Sequence, residues 1–122
     1  MRVGFLEAGT GWVPYMIDRL DRAYNGWAGK EIREFSPLMK TSPSDVFASG
    51  RLYFSCEGGE PSMSGLIERI GSKNIMFASD YPHESNVERG MHEVEELMSR
   101  DDLSDEARQN IFCDNIERFY AR

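Results

Sequence analysis

The chain is poor in the features that would place it outside the ordinary globular proteins. Among its 122 residues there are only two cysteines and two histidines. The cysteines, Cys56 and Cys113, lie far apart and form no CxxC pair, which excludes a zinc-finger framework. No apolar run approaches the roughly 18 residues of a membrane span. No basic leader followed by an apolar stretch is visible, so a secretory signal is not expected. With no secretory context both are expected to be reduced and mostly buried in a cytoplasmic protein. Positive charge is also scarce: the formal net charge is -7. That argues against nucleic acid or an anionic membrane as partner, since both demand clustered Lys and Arg. From Glu84 to Arg122 there are eleven acids against five arginines, the pattern of a solvated helical surface. HxH, HExxH, GxSxG and phosphate-binding glycine loops are all absent. Gly9-Thr10-Gly11 is too short to read as a nucleotide loop.

What remains is a chain of ordinary composition, 40% hydrophobic and 29% charged, long enough for one domain over 1–122. Val3–Leu6, Arg51–Cys56 and Ile75–Ala78 read as short buried strands. The spacing of Trp12, Tyr15, Met16, Arg19, Leu20 and Tyr24 predicts an amphipathic helix, with Pro14 in its first turn and Gly26 and Gly29 around its end. Lys30–Thr41 reads as irregular. Ser42-Pro43-Ser44-Asp45 is a helix start, with Ser42 as cap and Pro43 at the first position. Met63–Ile70 is helical and stops at Gly71. Val87–Met98 is helical with Met91, Val94, Leu97 and Met98 facing inward. Ser104 caps the next helix, and Asp114 and Glu117 open a last short one. Strands alternating with helices imply parallel strands joined by right-handed crossovers, an α/β fold.

An acid follows each strand: Glu7 after the first, Glu57 after the second, Asp80 after the third, the last within the segment SDYPH that also holds His83. In parallel α/β folds ligands gather at that edge, where the loops and helix N-termini converge. Three carboxylates on one pocket would repel unless a cation or a proton relieved them. Each also has a structural reading, as a turn former or the cap of a following helix. His92 lies within a helix with no visible partner and reads as a surface residue.

Four segments, FLEAGTGWVPYMIDRLD, LYFSCE, IGSKNIMFASDYPH and DNIERFY, together resemble the C-terminal part of the amidohydrolase-related family. The resembling branch is that of the metal-dependent hydrolases around aminocarboxymuconate semialdehyde decarboxylase. The resemblance implies a distorted (β/α)8 barrel with a divalent metal, often zinc, at its C-terminal mouth, and hydrolysis or decarboxylation of small organic molecules. It implies that the three strands are barrel strands six to eight, a half-barrel. It further implies that Asp80 is the metal ligand of strand eight and handles a proton, with Glu7 as an acid/base group and His83 orienting substrate or a metal-bound water. Glu7 stands where the decarboxylase branch often carries a histidine. The family's first-strand HxH pair and strand-five histidine have no counterpart here. A barrel needs ~250 residues, about twice this chain. Three strands leave two free sheet edges. The chain is therefore expected to associate with itself as a homo-oligomer or with a missing N-terminal half, and to be inactive alone. A non-catalytic oligomerising domain without metal, in which Asp80 and His83 merely cap the last helix, is the alternative. An acidic cation-binding module would require Glu7, Glu57 and Asp80 to converge.

Overall fold

The computed structural model describes residues 1–36, 39–83 and 85–121. Its elements in order are β1 (Val3–Phe5), α1 (Trp12–Asn25), α2 (Trp27–Phe35), α3 (Pro43–Ala48), β2 (Leu52–Cys56), α4 (Met63–Ile70), β3 (Ile75–Phe77), α5 (Val87–Ser99), α6 (Asp105–Gln109), a π-helical turn (Asn110–Asp114) and α7 (Asn115–Tyr120). The three strands form one parallel sheet in the order β1-β2-β3, with Phe5 opposite Phe54 and Phe54 opposite Ile75. This is an α/β architecture consistent with part of a barrel.

β2 is the central strand, and residues Tyr53 to Cys56 are buried on both of its faces, as a covered parallel strand must be. One face carries Phe54 toward the helices. Its ring lies 5.6 Å from Phe5, 5.9 Å from Phe47 of α3 and 5.7 Å from Trp12 of α1. Val13, Ile17, Met63, Leu66, Leu97 and Ile111 complete that core. Tyr53 lies on the opposite face, where Phe119 of α7 packs 5.2 Å from its ring. A Cβ at the neighbouring Gly4 would sit 3.2 Å from the tip of that phenylalanine, so the ring packs directly over the glycine.

The helix starts follow the caps that the sequence announces. The Ser42 hydroxyl accepts from the Asp45 N–H at 3.2 Å, and Ser104 accepts from Ala107 at 3.1 Å. Four expectations are corrected. Trp27–Phe35 is a helix where an irregular stretch was expected; Pro37 and Leu38 of that stretch lie outside the described residues. Extended Gly26 restarts the chain, and Gly29 crosses α1 so closely that a Cβ would meet the Tyr24 carbonyl oxygen at 2.3 Å. Gly29 is therefore a packing residue inside α2, not the end of α1. On α5, Leu97 is buried, whereas Met91 and Met98 are more than half exposed. The last helices run on from α6 through a π turn, which inserts the extra residue that lets Asn110 and Asn115 face the same strand end. Finally, Cys113 is exposed and only Cys56 is buried.

Burial pushes the Cys56 thiol up to about 12, with Glu60 adding to the effect. It is thus a neutral, unreactive group at physiological pH. Titration of native protein with Ellman's reagent is expected to modify Cys113 alone, and both thiols in denaturant. Two equivalents consumed at the same rate under native conditions would contradict this packing of β2.

Candidate functional site

At the carboxyl end of the sheet the three loops converge. Leu6, Glu7, Gly9, Ser55, Glu57, Ala78 and Asp80 line one cleft of about 250 Å³. The acids read from the strand ends therefore do share a site. Glu57 and Asp80 also line a narrower recess beside Arg89 and Glu93 of α5. Glu7 (φ 57°) and Asp80 (φ 52°) are the non-glycine residues of the described chain with left-handed backbone. That conformation costs on the order of 1–3 kcal/mol, is tolerated more easily by Asp than by Glu, and clusters at functional sites. The Glu7 N–H donates to the Ser55 hydroxyl at 3.0 Å, which holds the first loop against the central strand.

His83 stands apart. Its backbone N–H closes a turn onto the Asp80 carbonyl at 2.9 Å, but its ring is 76% exposed and Nδ1 lies 3.9 Å from the Asp80 carboxylate. That separation exceeds a hydrogen bond. It faces the Asp80 carboxylate without lining the acid cleft. Asp80 and His83 do not cap a helix, neither the last one, α7, whose N-cap position is Asp114, nor α5, which follows them. Asn86 caps α5, its side-chain oxygen accepting from the Arg89 N–H at 2.8 Å. His92 is exposed on α5, as a surface residue.

The residue that organises the site escaped the reading of the sequence. Glu60 accepts from the Thr10 N–H at 2.7 Å and the Thr10 hydroxyl at 2.5 Å through one oxygen, and from the Glu57 N–H at 2.9 Å through the other. Thr10 is fully buried. One carboxylate thus ties the loop after β1 to the loop after β2. The backbone of Glu60 is held in turn by Arg100, whose Nη1 donates to its carbonyl at 2.6 Å. Arg100 also forms a two-pronged pair with Asp102 at 2.8 and 2.6 Å, and this guanidinium holds the Asp102 carboxyl down at about 2. Gly58 is required between the two acids, since a Cβ there would lie 2.4 Å from the Glu93 carbonyl oxygen of α5. The local signal was present in Glu57-Gly-Gly-Glu60, an acid three residues after a strand-end N–H across a glycine turn. Thr10 as its second partner, 50 residues away, was not visible.

The donors present do not by themselves fit a metal ion. Among the described residues no three His, Cys, Asp or Glu side chains come close enough together to hold one. Asp80 has only a distant, exposed imidazole beside it. The chain offers a lone oxygen ligand where zinc sites use three or four protein ligands.

A parallel sheet with loop carboxylates gathered at its carboxyl edge is the arrangement of the βα enzymes that bind ligands at that edge. Residues 2–122 match the amidohydrolase family over almost the whole chain, and the protein belongs to that family, which is generally metal-dependent. No curated protein sequence matches it. Among solved structures it is similar to an amidohydrolase from Mycobacterium avium subsp. paratuberculosis K-10, with a TM-score of 0.71 at 22% identity. That similarity extends over 95% of this chain but 27% of the other, so the chain spans about a quarter of the solved relative's length. Among the described residues no helix is long and apolar enough to cross a membrane.

Proposed function

We propose that this chain is the C-terminal part of a metal-dependent hydrolase or decarboxylase, of the branch around aminocarboxymuconate semialdehyde decarboxylase, acting on a small organic molecule. It carries part of the active site, and the remaining strands of the barrel supply the rest. β1, β2 and β3 correspond in this reading to barrel strands six, seven and eight. The observation that carries it is the convergence of Glu7, Glu57 and Asp80 on one cleft at the carboxyl edge, two of them on left-handed backbone.

Asp80 is the residue placed to serve as the chain's metal ligand and as a proton acceptor from a bound hydroxyl. Its carboxylate is 28% exposed at the rim, reachable by substrate yet partly shielded from bulk water. Glu7, across the same cleft, is the second acid/base group. His83 reaches Asp80 only through an intervening water or a small rotation, and orients substrate from outside the cleft. The metal, zinc in this reading, would supply an activated water when bound. Its other ligands would come from outside this chain. The isolated chain is inactive.

Zinc titration by calorimetry tests this, with Asp80→Ala beside the unaltered chain. The expected result is no site tighter than ~10 µM in either protein, because one carboxylate lacks the companions a zinc site needs. Asp80→Ala should cost about 1 kcal/mol in unfolding, because aspartate tolerates a left-handed position better than alanine does. Near-stoichiometric binding lost in the variant would mean that the chain holds a whole metal site. A loss above ~3 kcal/mol would make Asp80 a structural residue instead.

A further inference from the structure

Trp27 and Phe35 of α2 are each 80% exposed, and Ile32 between them is 49% exposed. Single apolar side chains on a surface are ordinary, but two aromatic rings on one short helix make a patch. Trp27, Glu31 and Phe35 follow one another at steps of four residues. They form one ridge along the helix, each about 40° round from the last. Glu34 lies about 20° to the other side of Trp27, so the indole stands between two carboxylates. Both acids are exposed, and among the described residues neither is in an ion pair. Lys30 follows beyond Glu34, about 60° from Trp27. The helix's own arginine, Arg33, is turned away from the ridge and lies over the Tyr24 ring at 4.1 Å. α1 starts beside the acid cleft and runs 14 residues, about 21 Å, toward the amino edge of the sheet. α2 follows it there, packed mainly on α1, at the far end of the sheet from the cleft.

We infer that this ridge is a docking site for an arginine-bearing segment of a partner protein. A guanidinium is planar and cationic. It stacks on an aromatic face and pairs through its N–H fork with a carboxylate beside that face. Trp27 offers the face, Glu31 and Glu34 offer a carboxylate on either side of it, and Phe35 offers a second ring. Charge selects the same occupant. The outward side of α2 carries Glu31 and Glu34 against Lys30, on a chain of net charge -7, so a basic segment is attracted and an acidic one repelled. A second copy of α2 is the poorer partner. Parallel pairing about a two-fold axis sets Glu31 against its own copy, and so does the antiparallel register that sets Trp27 against Phe35 of the copy. Like charges so placed repel, which disfavours self-pairing through the ridge. The two rings offer roughly 300–400 Å² of surface, which makes this a contact of the weak, transient class. The inference does not rest on the reading of the cleft as part of an enzyme.

The probe is a synthetic peptide of about 12 residues, with arginine at every third position and serine and glycine between. Two companions carry lysine or uncharged citrulline in place of arginine. Titrated into the isotope-labelled full chain, the arginine peptide should shift the indole N–H resonance of Trp27 with a Kd of about 0.1–1 mM. The indole of Trp12, bonded to the Gly9 carbonyl at 3.0 Å, should stay in place. The lysine peptide should bind about fivefold more weakly, and the citrulline peptide should not saturate. Glu31→Arg with Glu34→Arg should abolish the shift. Glu68→Arg with Glu95→Arg changes the net charge equally, on exposed acids of α4 and α5, and should weaken binding about twofold or less. All four sites are exposed, and circular dichroism should confirm an unchanged fold in both variants. Equal losses in the two double variants would reduce the effect to net charge and overturn the proposal. So would no shift at ~5 mM peptide, or equal binding of the arginine and citrulline peptides. A dimer in sedimentation that Trp27→Ala with Phe35→Ala dissolves would overturn it in favour of a second copy. None of these readouts depends on metal or activity, so they fail separately from the zinc titration.

Discussion

Asn115→Ala is expected to lower the free energy of unfolding by about 2–4 kcal/mol, a large share of the 5–15 kcal/mol that holds a typical domain. Asn115 is fully buried at the start of α7. Its amide nitrogen donates to the carbonyls of Ser72 and Ile75 at 2.7 and 2.6 Å, and its oxygen accepts from Arg118 at 2.7 Å. Arg118 also reaches the Asn110 oxygen at 3.2 Å, and Asn110 donates to the Ser72 hydroxyl at 2.9 Å. The three side chains clamp the C-terminal helices onto the amino end of β3. Alanine takes the side-chain donor from the Ser72 and Ile75 carbonyls and one acceptor from Arg118, which keeps Asn110 and Asp114, and a buried group left stranded costs about 1–3 kcal/mol. Urea unfolding should give a lower midpoint at unchanged slope. Because Asn115 and Arg118 act as one unit, the double variant with Arg118→Ala should cost less than the sum of the two singles. A loss below ~1 kcal/mol, or full additivity, would show that the clamp is ornamental. The terminal DNIERFY segment, which helped carry the family resemblance, is thus a stability device at the end of the sheet remote from the cleft.

Glu60→Ala is the second large effect, about 2–4 kcal/mol. The substitution removes an acceptor from three donors at once, two of them on fully buried Thr10. Hydrogen bonds to a charged acceptor contribute about 1.5–3 kcal/mol each, and their loss is not additive when one group makes them all. Glu60→Gln should recover part of the loss, since one amide oxygen can still serve Thr10 or Glu57, while its NH2 would face a donor. Equal destabilisation by Ala and Gln would point to the charge alone; no destabilisation by either would remove Glu60 as the tie between the loops. The consequence for the site is direct. Without that tie, the bonds left between the two loop regions among the described residues are Glu7–Ser55 at 3.0 Å and the long Thr10–Ser62 contact at 3.4 Å, and the cleft loses its fixed width.

The physical reasons for what could be read in advance are local. A strand that is buried on both faces is largely apolar, as β3 is and as β2 is apart from Ser55. A helix must satisfy its first N–H groups, and Ser42 and Ser104 do so where they stand in the chain. Strand-helix alternation dictates parallel pairing, and parallel pairing brings every strand end to one edge. From this Glu7, Glu57 and Asp80 were legible as residues of one sheet edge, while their meeting in one cleft was decided by the fold. Helix α2 was not, because its signal is a glycine that permits a close crossing, and an isolated glycine reads as a break. Nor was the exposure of Met91 and Met98: period alone reveals an apolar face, but only the packed fold decides whether anything covers it. Glu60 and Asn115 depend on partners about 40–50 residues distant, and His83 missed the cleft through the direction of one turn. The order of elements, the parallel sheet and the acid at each strand end were settled by propensity and polarity along the chain. Which carboxylate binds the loops together, which asparagines lock the sheet and which face of α5 stays open were settled by long-range contact, because a hydrogen bond or a buried surface exists only once both partners have been brought together.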